Sequence, residues 1–187
     1  FTRYNRAMNK TLSLVDGIQI PQMGFGTWEL KDPKQATLHA LHSGYRHIDT
    51  ADYYHNHAAV GQAMKASGVP RDQIFLVTKL YGRTLEPKNV APAIDRFLKE
   101  LDVDQIDLLL VHWLSGVPAE DSLLAMEKAR AAGKVRTLGV SNFEVEDMQA
   151  ALATGLPVCN NQIEFNLEVR PDDVADFCLA NDVTVTA

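Results

Sequence analysis

Apolar runs alternating with helical patterns constrain this chain more than any other feature. The runs cover 47–50, 74–79, 106–113, 135–141, 158–165 and 183–186. They are continuous rather than alternating, as strands buried on both faces require. Between them, helical patterns cover about 58–66, 90–101, 119–132, 145–154 and 171–181. Their boundaries fall at Gly68 and Pro70, at Pro87 or Pro92, at Gly133 and at Gly155. The unit repeats roughly every 25 to 30 residues, the spacing of parallel crossovers. Two α/β architectures have this pattern: a doubly wound open sheet and an eight-stranded barrel. An open sheet gathers its chemistry at one switch-point crevice. Here nearly every run ends in a polar residue, which favours a barrel, whose site collects from many strand ends.

The upstream residues extend the pattern. Asp16-Gly17 between apolar residues predicts a hairpin over 12–20. A short strand over 23–27 follows, with Gly24 and Gly26 allowing close backbone approach. Asp32-Pro33 opens a helix with Ala36, Leu38, Ala40 and Leu41 on its apolar face, and Gly44 ends it. The expected fold is therefore a (β/α)8 TIM barrel with an N-terminal β-hairpin, the sequence ending in the seventh strand. A closed barrel needs an eighth strand, so the intact protein is expected to continue past Ala187. Residues 1–7 read as a tail or an artificial extension, Met8 as the natural start, and 8–187 as a single, incomplete barrel domain.

Composition narrows the function classes. The 187 residues suffice for one core, and 24 acidic against 18 basic residues leave no basic stripe for nucleic acid. No run of about 18 apolar residues suggests a membrane span. Cys159 and Cys178 are too few for a disulfide framework, and no signal sequence opens the chain. A cytoplasmic monomer acting on a small molecule is the expectation.

Four ionisable residues stand at the downstream ends of three successive runs: Asp49 with Tyr54 just beyond, Lys79, and His112. A free tyrosine has a pKa of about 10 and donates protons poorly near neutrality. A lysine ammonium beside it stabilises the phenolate and is expected to lower that pKa. Asp49 would hold Lys79 in place, and His112 could orient a substrate oxygen. Together they describe an acid that protonates a carbonyl oxygen while hydride reaches its carbon. Each residue also has an ordinary role: Asp49 as a helix cap, Tyr54 as packing, Lys79 snorkelling to water, His112 as a core histidine. The conjunction carries the argument.

Ser141, Asn142 and Gln162 end the next strands and suit a carboxamide such as that of nicotinamide; Asn142 could equally cap a helix. Gly24-Phe25-Gly26-Thr27 is a loose match to a nucleotide-binding glycine pair, and no Gly-x-Gly-x-x-Gly opens a helix. Trp28, Tyr53 and Trp113 could line an apolar pocket. His55 and His57 read as surface loop histidines, and no metal site is expected.

These residues resemble the aldo-keto reductase family. Gly24 to Thr27 looks like its first-strand signature. Gly-Tyr-Arg-His-Ile-Asp-Thr-Ala-Asp-Tyr-Tyr at 44–54 is similar to its most specific motif. Val-Thr-Lys at 77–79 and Val-His-Trp at 111–113 match its catalytic Lys and His motifs. The stretches 133–142 and 161–166 look like its fifth- and sixth-strand signatures. The chain is most similar to small bacterial members of the 2,5-diketo-gluconate reductase type. The resemblance implies a (β/α)8 barrel and NADPH-dependent reduction of aldehydes or ketones. Tyr54 would be the general acid, Lys79 and Asp49 its tuners, and His112 the carbonyl orienter. Gly26, Thr27, Asp49, Ser141, Asn142 and Gln162 would contact NADPH, and Trp28, Tyr54, His112 and Trp113 the substrate. His57 departs from the pattern, because the family usually carries an acidic residue there. Leu114 replaces a usual proline, and the connections after Trp113 and Asn166 look short, as if residues were missing. The determinants of NADPH over NADH lie beyond Ala187. Two other classes fit less well: a Schiff-base aldolase using Lys79, and a non-catalytic nicotinamide-binding accessory subunit.

Overall fold

Strands apolar on both sides need two covers, and the chain supplies one from helices and the other from its own curvature. The computed structural model describes residues 10–187; the expected tail at 1–7 and the start at Met8 lie outside the described residues. A hairpin of β1 (Thr11–Ser13) and β2 (Gln19–Pro21) comes first. Seven strands then pair in sequence order, all parallel: β3 (Gly24–Gly26), β4 (His47–Asp49), β5 (Phe75–Leu80), β6 (Ile106–Val111), β7 (Val135–Ser141), β8 (Val158–Gln162) and β9 (Thr184–Thr186). The helices between them are α1 (Pro33–His42), α2 (His57–Ala66), α3 (Pro87–Leu101), α4 (Ala119–Ala131), α5 (Val145–Ala153) and α6 (Asp172–Ala180).

The sheet is curled, and one hydrogen bond measures how strongly. Gln162 at the end of β8 donates from Nε2 to Oδ2 of Asp49 at the end of β4, at 2.9 Å. Four inter-strand steps separate those strands in the sheet. In a flat sheet they would stand about 19 Å apart. The architecture is thus that of a (β/α)8 barrel through its seventh strand, with β3 and β9 at the sheet edges.

Strand residues alternate between the two faces, and the two faces bury different things. Phe75 and Val77 of β5, Leu108 and Leu110 of β6, and Cys159 of β8 form the inner core. Leu14 and Ile20 of the hairpin segment pack against them and plug one end. Leu76, Leu80, Leu109, Val111, Leu138 and Val140 face outward into the larger core beneath the helices. Continuing the inward series by two residues gives Lys79 on β5 and His112 just past β6.

Element boundaries differ in instructive ways. The hairpin forms, but its turn is a short 3-10 segment, Val15–Gly17, rather than two residues. Leu14 donates to the Ile18 carbonyl at 2.7 Å, and Gly17 takes a φ of 73°. The strand expected over 158–165 stops at Gln162, and that over 106–113 stops at Val111. Helix α3 begins at Pro87 and runs through Pro92, whose fixed φ is helix-compatible at the loss of one backbone bond. Cys159 and Cys178 are buried thiols.

Gly61 of α2 shows how tightly the helix layer is packed. A Cβ there would meet the backbone of Leu101 in α3, with the carbonyl carbon 2.7 Å away. Backbone cannot swing aside as a side chain can. Gly61→Ala is therefore expected to destabilise the protein by about 1–3 kcal/mol, although alanine is the better helix former. Urea denaturation measures this, and an unchanged or raised midpoint contradicts it.

Candidate active site

The inward series ends where the strands give way to loops, and there the polar residues meet. Lys79 is fully buried. Its Nζ donates to Asp49 Oδ1 at 2.5 Å, to the Thr50 carbonyl at 3.0 Å and to Tyr54 Oη at 3.4 Å. These three acceptors match the three donors of an ammonium. Snorkelling, the ordinary role for such a lysine, is not what the fold does with it.

Tyr54 closes a 3-10 turn, Asp52–Tyr54, and His55 follows with a left-handed φ of 53°. That reversal lifts the phenol beyond the strand end. Asn56 secures the loop from behind: its Nδ2 donates to the Thr27 carbonyl at 2.9 Å, and its Oδ1 accepts from Thr50 Oγ1 at 2.6 Å. The Tyr54 ring lies 5.7 Å from the His112 ring and 6.4 Å from Trp28, with which it stacks. Tyr53, Tyr81 and Trp113 complete an aromatic collar: Tyr53 and Tyr81 are 4.8 Å apart, and Trp113 stacks on His112 at 4.0 Å.

A cavity of about 700 Å³ opens onto this group. Trp28, Asp49, Tyr54, His112, Trp113, Ser141, Asn142 and Gln162 all line it, as does Gly26. Thr27 does not: it is fully buried, engaged with Asn56. Lys79 also stays off the cavity wall, behind Asp49 and Tyr54.

Burial governs the protonation states. His112 is held neutral, its pKa pushed down to about 3, first by burial and then by the Lys79 charge, against the pull of Asp49. Its Nδ1 is buried without a partner among the described residues. Tyr54 corrects an expectation. Its pKa is raised, because burial, aided by Asp49, outweighs the lowering by Lys79. Lys79 is shared with Asp49 at closer range, 2.5 Å against 3.4 Å, and Asp49 opposes its effect on the phenol.

Asn142 does not cap a helix. Glu144 caps α5, in a box with Asp147. Asn142 has a left-handed φ of 58°, and its Nδ2 donates to the His112 carbonyl and to Ser141 Oγ, each at 3.0 Å. Ser141 Oγ donates in turn to the Gln162 carbonyl at 2.9 Å. Among the described residues no donor reaches Asn142 Oδ1 or Gln162 Oε1. Both residues line the cavity, and their acceptor oxygens suit the amino group of a carboxamide such as that of nicotinamide.

The other expectations divide. His55 is exposed, but His57 is buried at 3% exposure as the first residue of α2, a correction to its reading as a surface histidine. The missed signal was periodic: His57, Val60, Gly61 and Met64 share one helix face. Tyr81 was also missed, since a tyrosine after an apolar run gives no local sign of packing against His112 and Trp113. Among the described residues no cluster of His, Cys, Asp and Glu could hold a metal.

Comparison with known proteins decides the family. The profile described as "Aldo/keto reductase family" matches residues 22–187. The chain belongs to the aldo/keto reductase family. Glycerol 2-dehydrogenase (NADP(+)) of Saccharomyces cerevisiae is 37% identical over 95% of this chain and 67% of its own length. Methylglyoxal reductase DkgB of Salmonella typhi is also 37% identical, over 90% of this chain and 66% of its own. Among solved structures, the aldose reductase of Schistosoma japonicum superposes with a TM-score of 0.92 at 30% identity, covering 95% of this chain and 68% of that one. A Bombyx mori aldo-keto reductase in complex with NADP gives 0.90 at 30% identity, covering 95% and 65%. The chain spans about two thirds of the length of these relatives.

Three buried histidines predict an acid-sensitive aldo-keto reductase fold. His47, His57 and His112 all have pKa values lowered chiefly by burial. Below the unfolded value of about 6.5 the unfolded chain binds protons that the fold refuses, so stability is full above that pH and lost as pH falls. Urea denaturation should show the unfolding free energy dropping between pH 7 and pH 5, by about 1 kcal/mol per pH unit for each histidine still refusing its proton. A flat or rising profile contradicts these protonation states.

Proposed function

We propose that this protein reduces aldehydes and ketones to alcohols with NADPH, using Tyr54 as general acid. The observation that carries the reading is the buried Lys79 ammonium joined to both Asp49 and Tyr54, with the neutral His112 ring 5.7 Å from the Tyr54 ring on the same cavity. When bound, the reduced nicotinamide supplies hydride to the carbonyl carbon. Everything else falls to this chain. His112, uncharged, keeps a nitrogen able to hydrogen-bond the carbonyl oxygen and orient it. The raised pKa of Tyr54 keeps its proton on the phenol at neutral pH. Transfer then waits until the substrate oxygen becomes alkoxide-like and far more basic. Lys79, already 3.4 Å away, stabilises the phenolate left behind. Asn142, Gln162 and Ser141 would hold the carboxamide, with Gly26 beside them.

The relatives support a small-carbonyl substrate: one is named for methylglyoxal, another, from Bacillus subtilis, for glyoxal. The exposed aromatic collar adds room for apolar groups. We further propose a monomeric, cytoplasmic enzyme; its net charge of −6 supports the absence of a nucleic-acid partner. No helix among the described residues is long and apolar enough to cross a membrane. The Schiff-base alternative is disfavoured by Lys79 itself. An amine with no exposed surface and three acceptors around it is a poor nucleophile.

Tyr54→Phe removes the proton and little else. NADPH oxidation with methylglyoxal or substituted benzaldehydes should fall about 100- to 10,000-fold in kcat. NADPH affinity, read by quenching of protein fluorescence, should be retained. Persistent aldehyde reduction by the variant refutes the role given to Tyr54.

A further inference from the structure

The outward face of the same strands carries a buried polar chain that the reaction does not use. His57 is 3% exposed, and its ring meets Phe97 edge-on at 4.8 Å. Its Nε2 lies 2.8 Å from Thr78 Oγ1, and its Nδ1 lies 3.1 Å from Glu100 Oε2. Arg96 reaches Glu100 Oε1 at 3.3 Å and Asp52 Oδ1 at 2.8 Å. Thr78 is fully buried and immediately precedes Lys79. Asp52 opens the turn that ends in Tyr54. The chain of contacts therefore runs from the residue beside Lys79 to the turn holding Tyr54, behind both.

We propose that His57 is a positioning residue, which locks the strand bearing Lys79 to the turn bearing Tyr54 and so sets the spacing between phenol and ammonium. This rests on the reading of Tyr54 as the acid. The chemistry fits a neutral imidazole. The Glu100 carboxylate only accepts, so Nδ1 carries the hydrogen, and Nε2 is left to accept from the Thr78 hydroxyl. Burial holds the ring in that neutral form. An acidic side chain at this position would instead face Glu100 with like charge. His57 and Glu100 are thus a complementary pair. The Tyr54 turn is pinned from both sides: at Asp52 through Arg96, and at His57 three residues beyond the tyrosine.

The test compares His57→Leu, which fills the space without polar contacts, with His57→Gln, whose amide can donate to Glu100 and accept from Thr78. Kinetics and the ζ-carbon NMR resonance of Tyr54, assigned through Tyr54→Phe, are both measured in the intact protein. In His57→Leu, kcat should fall about 10- to 100-fold with KM unchanged, since a small misplacement weakens the chemical step. The Tyr54 resonance should move, and His57→Gln should restore both. If His57→Leu does not fold, Arg96→Met, at a partly exposed position, carries the test with the same expected losses. A kcat and resonance unchanged in the Leu variant, or a Gln variant as impaired as the Leu variant, overturns the proposal. Should the wild-type protein turn over no carbonyl, the resonance decides alone: a shift supports the clamp while the reductase reading fails.

Discussion

The buried ion pair between Lys79 and Asp49 is the interaction on which the rest of this structure depends. Neither charge can be left alone in so dry a place: removing one partner of such a pair costs about 3–5 kcal/mol, because the other stays uncompensated. The surroundings complete what the pair begins. Thr50 offers a carbonyl to the ammonium, and Gln162 offers an amide to the second carboxylate oxygen. That amide bond also crosses the interior from β8 to β4. The pair is thus both the electrostatic centre of the site and a tie that helps hold the sheet in its curl.

Parallel strands convert this pair into a site. Along β5 and β6 the inward positions are apolar, and they pack on Leu14 and Ile20 of the hairpin segment. The last inward position of each strand escapes that core and faces the cavity end. A barrel can therefore vary those terminal residues without disturbing its packing. Here it places an amine, an imidazole and a carboxylate at neighbouring strand ends, and a loop reversal at His55 adds the phenol. The phenol is only weakly acidic in these surroundings: burial keeps the proton on Tyr54, and the Lys79 ammonium lies 3.4 Å from its oxygen.

Much of this was legible from local pattern. Asp49, Tyr54, Lys79 and His112 stood out because each interrupts or follows an apolar run, and the fold gathers all four. Trp28 and Trp113 likewise reach the cavity. The failures share a cause. His57 looked like a loop residue because its burial depends on α2 beginning one residue earlier than expected, with α3 packed alongside. The direction of the Tyr54 shift was misread because a lysine beside a tyrosine says nothing about how deeply the fold buries the phenol.

What the amino-acid order determined was the class of fold, the succession of elements and the candidate chemistry, since periodicity and strand ends are properties of adjacent residues. Tertiary structure alone decided which protons are held, where the amides point and what lies behind Tyr54. Those depend on burial and on partners far apart in the chain: Gln162 meets Asp49, and Glu100 meets His57, only after the sheet has curled and the helices have docked.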